Sequence, residues 1–164
     1  HNIIFSDDHL LEFDTRAKVL PPLRDKKTIK SLLAGLKDGT IDMITSDHMP
    51  VDIEHKKIEF EHAQYGTIGL ESAFGSLLAI LGLNDTIDLL TRGRERFGLL
   101  EPEIKEGSIA NLTLFSPNGQ RIFEKEDIFS TSKNSLFMGS EITGQVIGII
   151  SGDNCTLNDQ SIKI

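Results

Sequence analysis

The residues best suited to chemistry stand together at the end of a short apolar run, Ile41-Asp42-Met43-Ile44-Thr45-Ser46-Asp47-His48-Met49-Pro50. A strand that delivers ionisable side chains at its C-terminal end is how an α/β barrel builds a site. A carboxylate in that place can bind a divalent ion and take a proton from the metal-bound water, which the metal makes acidic enough to ionise near neutral pH. The same pattern also fits an ordinary buried strand whose Asp47 caps the next turn, and local spacing does not separate the two. His55 and His62 follow in a polar stretch, but neither H-x-H nor H-E-x-x-H occurs. Those two, and His9, therefore read as solvated surface residues.

Other chemistries drop out. The sequence has no nucleophile elbow, phosphate loop or dinucleotide fingerprint. Gly66-Thr67-Ile68-Gly69 is too short for a phosphate cradle and reads as a tight loop entering a helix, whose backbone amides could face a small substrate's polar edge. A net charge of -8, from 25 acids against 17 bases with no basic stripe, argues against nucleic acid and anionic membrane as partners. No apolar run approaches the ~18 residues of a membrane span. The single cysteine, Cys155, allows no internal disulfide and fits a reducing cytoplasm. Opening on His1 rather than Met, and on residues that already read as strand, the chain is expected to be a fragment of a longer protein.

The elements that would position Asp47 follow an α/β order. Ile3–Phe5 reads as strand, and Ser6 as the cap of a short helix with Asp7 and Asp8 in its first turn. Pro21-Pro22 holds an extended passage. Ile29, Leu32, Leu33 and Leu36 recur at helical spacing before Gly39, and Ile41–Ser46 is the strand that follows. Residues 51–64 form a long polar loop of the kind that is functional or mobile. Leu70–Leu81 is an apolar helix, and Thr86–Arg96 an amphipathic one capped by Asn84 or Asp85. Beyond Gly98 the pattern turns to strands. Ile109–Phe115 is followed by a turn at Ser116-Pro117-Asn118-Gly119 with Arg121–Phe123 pairing back; Gly144–Ser151 is followed by a turn at 151–154 and a weak strand over 155–164. The expected boundary lies near residue 100, with β/α units over 1–100 and a β-rich segment over 101–164.

Taken together, Lys18-Val19-Leu20-Pro21-Pro22-Leu23-Arg24, Leu36-Lys37-Asp38-Gly39-Thr40-Ile41-Asp42, Ser46-Asp47-His48-Met49-Pro50 and Gly69-Leu70-Glu71-Ser72 resemble the dihydroorotase branch of the amidohydrolase superfamily. Gly107–Leu112 and Asn134–Val146 look like that family's C-terminal region. The resemblance implies an α/β fold, the C-terminal part of a TIM-like (β/α)8 metallo-hydrolase barrel followed by a small β-sandwich portion. A full barrel needs about 250 residues, so the chain can supply only its last units. The implied activity is a metal-dependent, zinc-type cyclic amidohydrolase that interconverts carbamoyl aspartate and dihydroorotate in pyrimidine synthesis. It gives Asp47 the double role of metal ligand and general base and acid, and matches Tyr65-Gly66 to a substrate-contacting aromatic-glycine pair. The family's H-x-H and its bridging acid have no counterpart here.

Two positions depart from the family pattern. Leu20 stands where it has a substrate-binding Asn, and Val51 where it has a substrate-binding His. Losing an amide and an imidazole leaves an anionic substrate with two contacts unmade. The departures open two alternatives: an inactive homologue that is a structural partner of aspartate transcarbamoylase, or a hydantoinase-like enzyme with a less polar ring substrate. The isolated fragment is expected to be catalytically inert. Strand edges and apolar faces without partners predict self-association.

Overall fold

The computed structural model describes residues 1–99 and 103–158. They form two compact units, His1–Ala73 with Ile122–Ser140, and Phe74–Arg121 with Glu141–Ile164.

In the first unit the best-formed helix is α1, Lys26–Lys37. Its apolar stripe is the one legible in the sequence, and Leu36 is its buried member. The Asp25 carboxylate accepts from the Thr28 N–H at 2.7 Å, satisfying one orphan donor of the first turn, worth ~1 kcal/mol. Ile3–Phe5 is not a strand: the Ile4 and Phe5 N–H groups both turn back to the His1 carbonyl, and a single parallel bridge joins Ser6 to Arg24. Ser6 makes no side-chain cap; its hydroxyl donates to Asp8 at 3.2 Å, before a 3₁₀ turn over Asp7–Leu10.

Ile41–Ser46 likewise forms no strand. Apolar side chains can make a segment extended, but a strand exists only through ladder partners, and among the described residues no ladder runs along it. Instead the segment that follows is stitched to a second irregular one. The Met49 N–H donates to the Thr67 carbonyl at 2.9 Å, and a side chain on Gly69 would lie 2.8 Å from the Ser46 carbonyl.

The buried Asn134 amide completes this join. Its Oδ1 accepts from the Val51 N–H at 3.2 Å and from the Ser132 hydroxyl, and its Nδ2 donates to the Gly66 carbonyl at 3.2 Å. Its main-chain carbonyl takes the Ile68 N–H and the Thr67 hydroxyl. Thr67 in turn accepts the Leu136 N–H at 2.8 Å. Around these bonds lie the enclosed side chains of Val19, Ile68 and Phe123, with Phe5 packed edge-on to Phe137 at 5.0 Å.

Residues 51–64 are tied down rather than loose. They include one helical turn, α2, Ile53–Lys56, and its last residue is buried. The Lys56 ammonium donates to the Thr15 and Lys18 carbonyls at 2.8 and 3.2 Å, and Thr15 Oγ1 donates back to the Lys56 carbonyl at 2.6 Å. The Lys18 ammonium donates to the Phe60 and Glu61 carbonyls and sits 5.0 Å from the Tyr65 ring centroid, within cation–π range. Burial, with a smaller contribution from the like charge of Lys18, pushes Lys56 down to about 8 from its usual 10.5.

Helix α3, Leu70–Leu81, runs where its apolar spacing puts it. In the second unit, Gly75 lets it lie against Ile142: an added Cβ would stand 3.1 Å from that side chain. The next helix starts earlier than its polar residues suggest. α4 spans Leu83–Thr91 with Gly82 as N-cap at φ 79°, and the Thr86 N–H donates to the Gly82 carbonyl, leaving Asn84 and Asp85 inside the first turn. A short α5, Gly93–Arg96, follows. The strands β1, Asn111–Ile122, β2, Glu141–Ser151, and β3, Asn154–Leu157, form one sheet in the order β1-β2-β3.

The turn expected at 116–119 is absent, because β1 runs straight through it. Gly144 at φ 72° brings β2 within 2.6 Å, measured from a built Cβ, of the Ser116 carbonyl, so this stretch has β2 alongside it. The second turn forms as read: β2 and β3 pair antiparallel from Gly148↔Leu157 to Ser151↔Asn154, with Gly152 at φ 56°. The end of the strand expected over 155–164 lies outside the described residues.

Two outcomes are expected from this packing. Asn134→Ala orphans the Val51 donor and the Gly66 acceptor at once and should cost ~2–4 kcal/mol in chemical denaturation. Stability should also rise with alkalinity. Lys56 has its folded value lowered to about 8, so between there and 10.5 the unfolded chain holds the proton that the folded one has lost. The urea midpoint should climb across that window, and Lys56→Met should remove that part of the climb.

Candidate active site

Asp47 stands at φ 47°, a left-handed conformation that a residue with a Cβ adopts only at a cost of ~1–2 kcal/mol. Such strain is sustained where neighbours fix the backbone, and the residues on either side supply that fixing. Upstream, Ser46 is pressed against Gly69; downstream, Met49 is bonded to Thr67. The Asp47 side chain is half exposed, with the solvent access a proton-transferring group needs.

Beside it is a residue that sequence reasoning passed over. The His1 ring is buried, neither of its nitrogens has a hydrogen-bond partner among the described residues, and its Nε2 lies 4.0 Å from the Asp47 carboxylate. The result is a carboxylate–imidazole pair facing each other without a proton shared between them. Two donors do not make a metal centre, and among the described residues no group of three His, Cys, Asp or Glu side chains converges to hold an ion. These residues alone do not fit a bound metal.

His48 turns away from Asp47 into the protein. Its Nδ1 accepts the N–H groups of Gly69 and Leu70, both at 3.3 Å, at the entrance of α3, and its Nε2 faces the Ser130 hydroxyl at 3.5 Å. Ser130 bonds the Glu71 carboxylate through both its hydroxyl and its N–H, the latter at 2.8 Å. Burial would raise Glu71, but these Ser130 bonds outweigh it and hold the carboxyl below the usual range.

Gly66 and Tyr65 sit on the second stitched segment. Gly66 is buried at φ 133°; its N–H donates to Lys18 and its carbonyl accepts from Asn134. Tyr65 is exposed, its ring beside the Lys18 ammonium. The Gly66, Ile68 and Gly69 amides are all bonded within the protein, so they are not the free donors the sequence suggested. His9, His55 and His62 are exposed, as read from the sequence. Leu20 is exposed and Val51 is buried.

The depressed Glu71 contributes stability that is complete above its ordinary 4.5 and is lost as the pH falls through its folded value. Wild type should therefore lose its advantage over Glu71→Gln as the pH is lowered progressively below 4.5 in matched denaturation curves.

No family model matches the chain. Among curated proteins it is 38% identical over 157 residues to the dihydroorotase of Caldicellulosiruptor saccharolyticus, covering 92% of this chain and 36% of that protein. It is 31% identical over 169 residues to the dihydroorotase of a Thermoanaerobacter species, covering 99% and 38%. The dihydroorotase of Endomicrobium trichonymphae is 35% identical, covering 94% and 38%. Among solved structures, a D-hydantoinase superposes with a TM-score of 0.78 at 24% identity over 96% of this chain and 38% of its own. The L-hydantoinase (dihydropyrimidinase) of Arthrobacter aurescens gives 0.81 at 19% identity over 99% and 39%. These likenesses show a shared mixed α/β fold, and the chain spans little more than a third of the length of the curated relatives it matches. By sequence, the chain is a relative of the dihydroorotases.

Proposed function

We propose that the protein that includes this chain is a dihydroorotase-type cyclic amidohydrolase in which Asp47 moves the proton. The observation that carries the reading is Asp47 itself: a half-exposed carboxylate held in a strained conformation by a close backbone approach upstream and a hydrogen bond downstream. The likeness to curated dihydroorotases over most of the chain supports the reaction class.

In ring opening, the oxygen of water bonds to the cyclic amide carbonyl carbon and a proton of that water passes to Asp47. The carbon–nitrogen bond then breaks, and Asp47 returns the proton to the departing nitrogen, leaving an open-chain amide and a carboxylic acid that releases the water's second proton to solvent as it ionises. Ring closure reverses each transfer. Tyr65, exposed beside Lys18, supplies a flat face for a planar ring; Gly66 keeps the main chain close behind it. A divalent ion, zinc by family resemblance, belongs to the proposal only with ligands beyond the described residues. We further place residues 1–100 among the last β/α units of a barrel and 101–164 in a small β-sandwich portion, in a cytoplasmic enzyme.

Leu20 and Val51 favour a second reading. An exposed leucine and a buried valine, where the family has an amide and an imidazole, fit either a less polar ring such as a hydantoin or an inactive homologue that serves as a structural partner of aspartate transcarbamoylase.

The test is steady-state hydrolysis of dihydroorotate and of hydantoin by the longer protein, zinc-loaded. Asp47→Asn, nearly isosteric but unable to take the proton, should lower kcat by about 10²–10⁴-fold with the fold intact by circular dichroism. Unchanged turnover in that variant removes Asp47 from the mechanism. Turnover of neither ring by wild type, together with stoichiometric binding to the transcarbamoylase, selects the structural reading. The 164 residues alone are expected to show no turnover.

A further inference from the structure

We propose that Glu71 and Ser130 are positioning residues for Asp47, acting through the His48 ring; this rests on the reading of Asp47 as the proton-transferring group. The neighbours of the His48 ring fix its tautomer. His48 Nδ1 faces two N–H donors, those of Gly69 and Leu70 at 3.3 Å each, so it can only accept. In the neutral ring the hydrogen then resides on Nε2, which faces Ser130 Oγ at 3.5 Å. Ser130 has one hydroxyl hydrogen and gives it to Glu71 Oε1, leaving its lone pairs for the imidazole.

Glu71 lies in the first turn of α3, whose leading amides are those that hold Nδ1. The bonds therefore close on themselves, from helix amides to imidazole, to hydroxyl, to carboxylate, and back to the same helix turn. Every donor and acceptor in this loop has a direction, and reversing one would set two hydrogens or two lone pairs against each other.

Two other readings of the same side chains fail on geometry. A serine nucleophile needs its hydrogen aimed at an accepting imidazole nitrogen, whereas Ser130 aims it at Glu71. A direct His48–Glu71 ion pair, with Nδ1 and Oε2 at 4.0 Å, needs a hydrogen on Nδ1, where two N–H groups already point.

The clamp controls Asp47 because the two residues share a peptide bond. With the His48 ring locked against α3 and Ser46 pressed on Gly69, the backbone at 47 has no slack to leave φ 47°. The carboxylate is aimed by groups that never touch it.

Selective ¹⁵N-histidine spectra of the longer protein should show His48 as the Nε2–H tautomer. The ¹³Cα shift of Asp47, which reports its backbone angle, should move in Glu71→Gln and in Ser130→Ala. In the zinc-loaded protein each variant should lose about 10–100-fold in kcat with little change in KM, the double variant should lose no more than either single one, and Ser130→Thr should restore most of the loss. An Nδ1–H tautomer, an unmoved Asp47 shift, or a loss confined to KM overturns the proposal. If wild type hydrolyses no cyclic amide the functional reading fails by itself, while the tautomer and the Asp47 shift still decide the clamp.

Discussion

One buried primary amide carries the architecture of the first unit. Asn134 binds the main chain of the segment after Asp47 on one side of its side chain and that of the segment after Tyr65 on the other. Neither segment has a strand ladder, so their peptide groups would enter a low-dielectric interior without partners, at ~1–3 kcal/mol for each unsatisfied group. An amide is the side chain suited to this, since it offers an acceptor and a donor a fixed distance apart. A carboxylate could serve only the donors, and a hydroxyl could not span the gap.

The bonds of Asn134 also explain where strain is stored. A left-handed aspartate is tolerable only if the chain beyond it is held by more than local preference, and here the hold comes from residues far along the sequence. The site is thus a tertiary product. Asp47 lies on one short segment, and its backbone is held by two others, one at Thr67–Gly69 and one that begins near residue 130.

What could be read in the sequence follows the range of the forces involved. Helices α1 and α3 are local, set by the spacing of Ile29, Leu32, Leu33 and Leu36 and by the run from Leu70, and they appear where expected. The β2–β3 turn is local too, through Gly152. Ile41–Ser46 has a strand's composition but not a strand's partners, and pairing is invisible to periodicity. At Ser116–Gly119 four turn-forming residues were overruled by the company of β2. Asp47 was legible because it ends a patterned run. His1, Glu71, Ser130 and Asn134 were not, since each matters through a residue 46 to 85 positions away, or, for His1, through an unshared buried ring. Glu71 and Asn134 did lie inside stretches that carried the family resemblance, which was the one available signal.

Gly66 sets a limit of a different kind. Any side chain there would strike Met49 within 3.1 Å, at both its side chain and its carbonyl, and the backbone angle of 133° is itself a glycine's. The position is closed to variation, whereas its neighbour Tyr65 and, elsewhere on the surface, Leu20 are open to it. Variation along this stretch, by selection or by a protein engineer, must therefore be made around a fixed pivot: the neighbouring surface can be repainted, but the point about which it hinges admits no new colour.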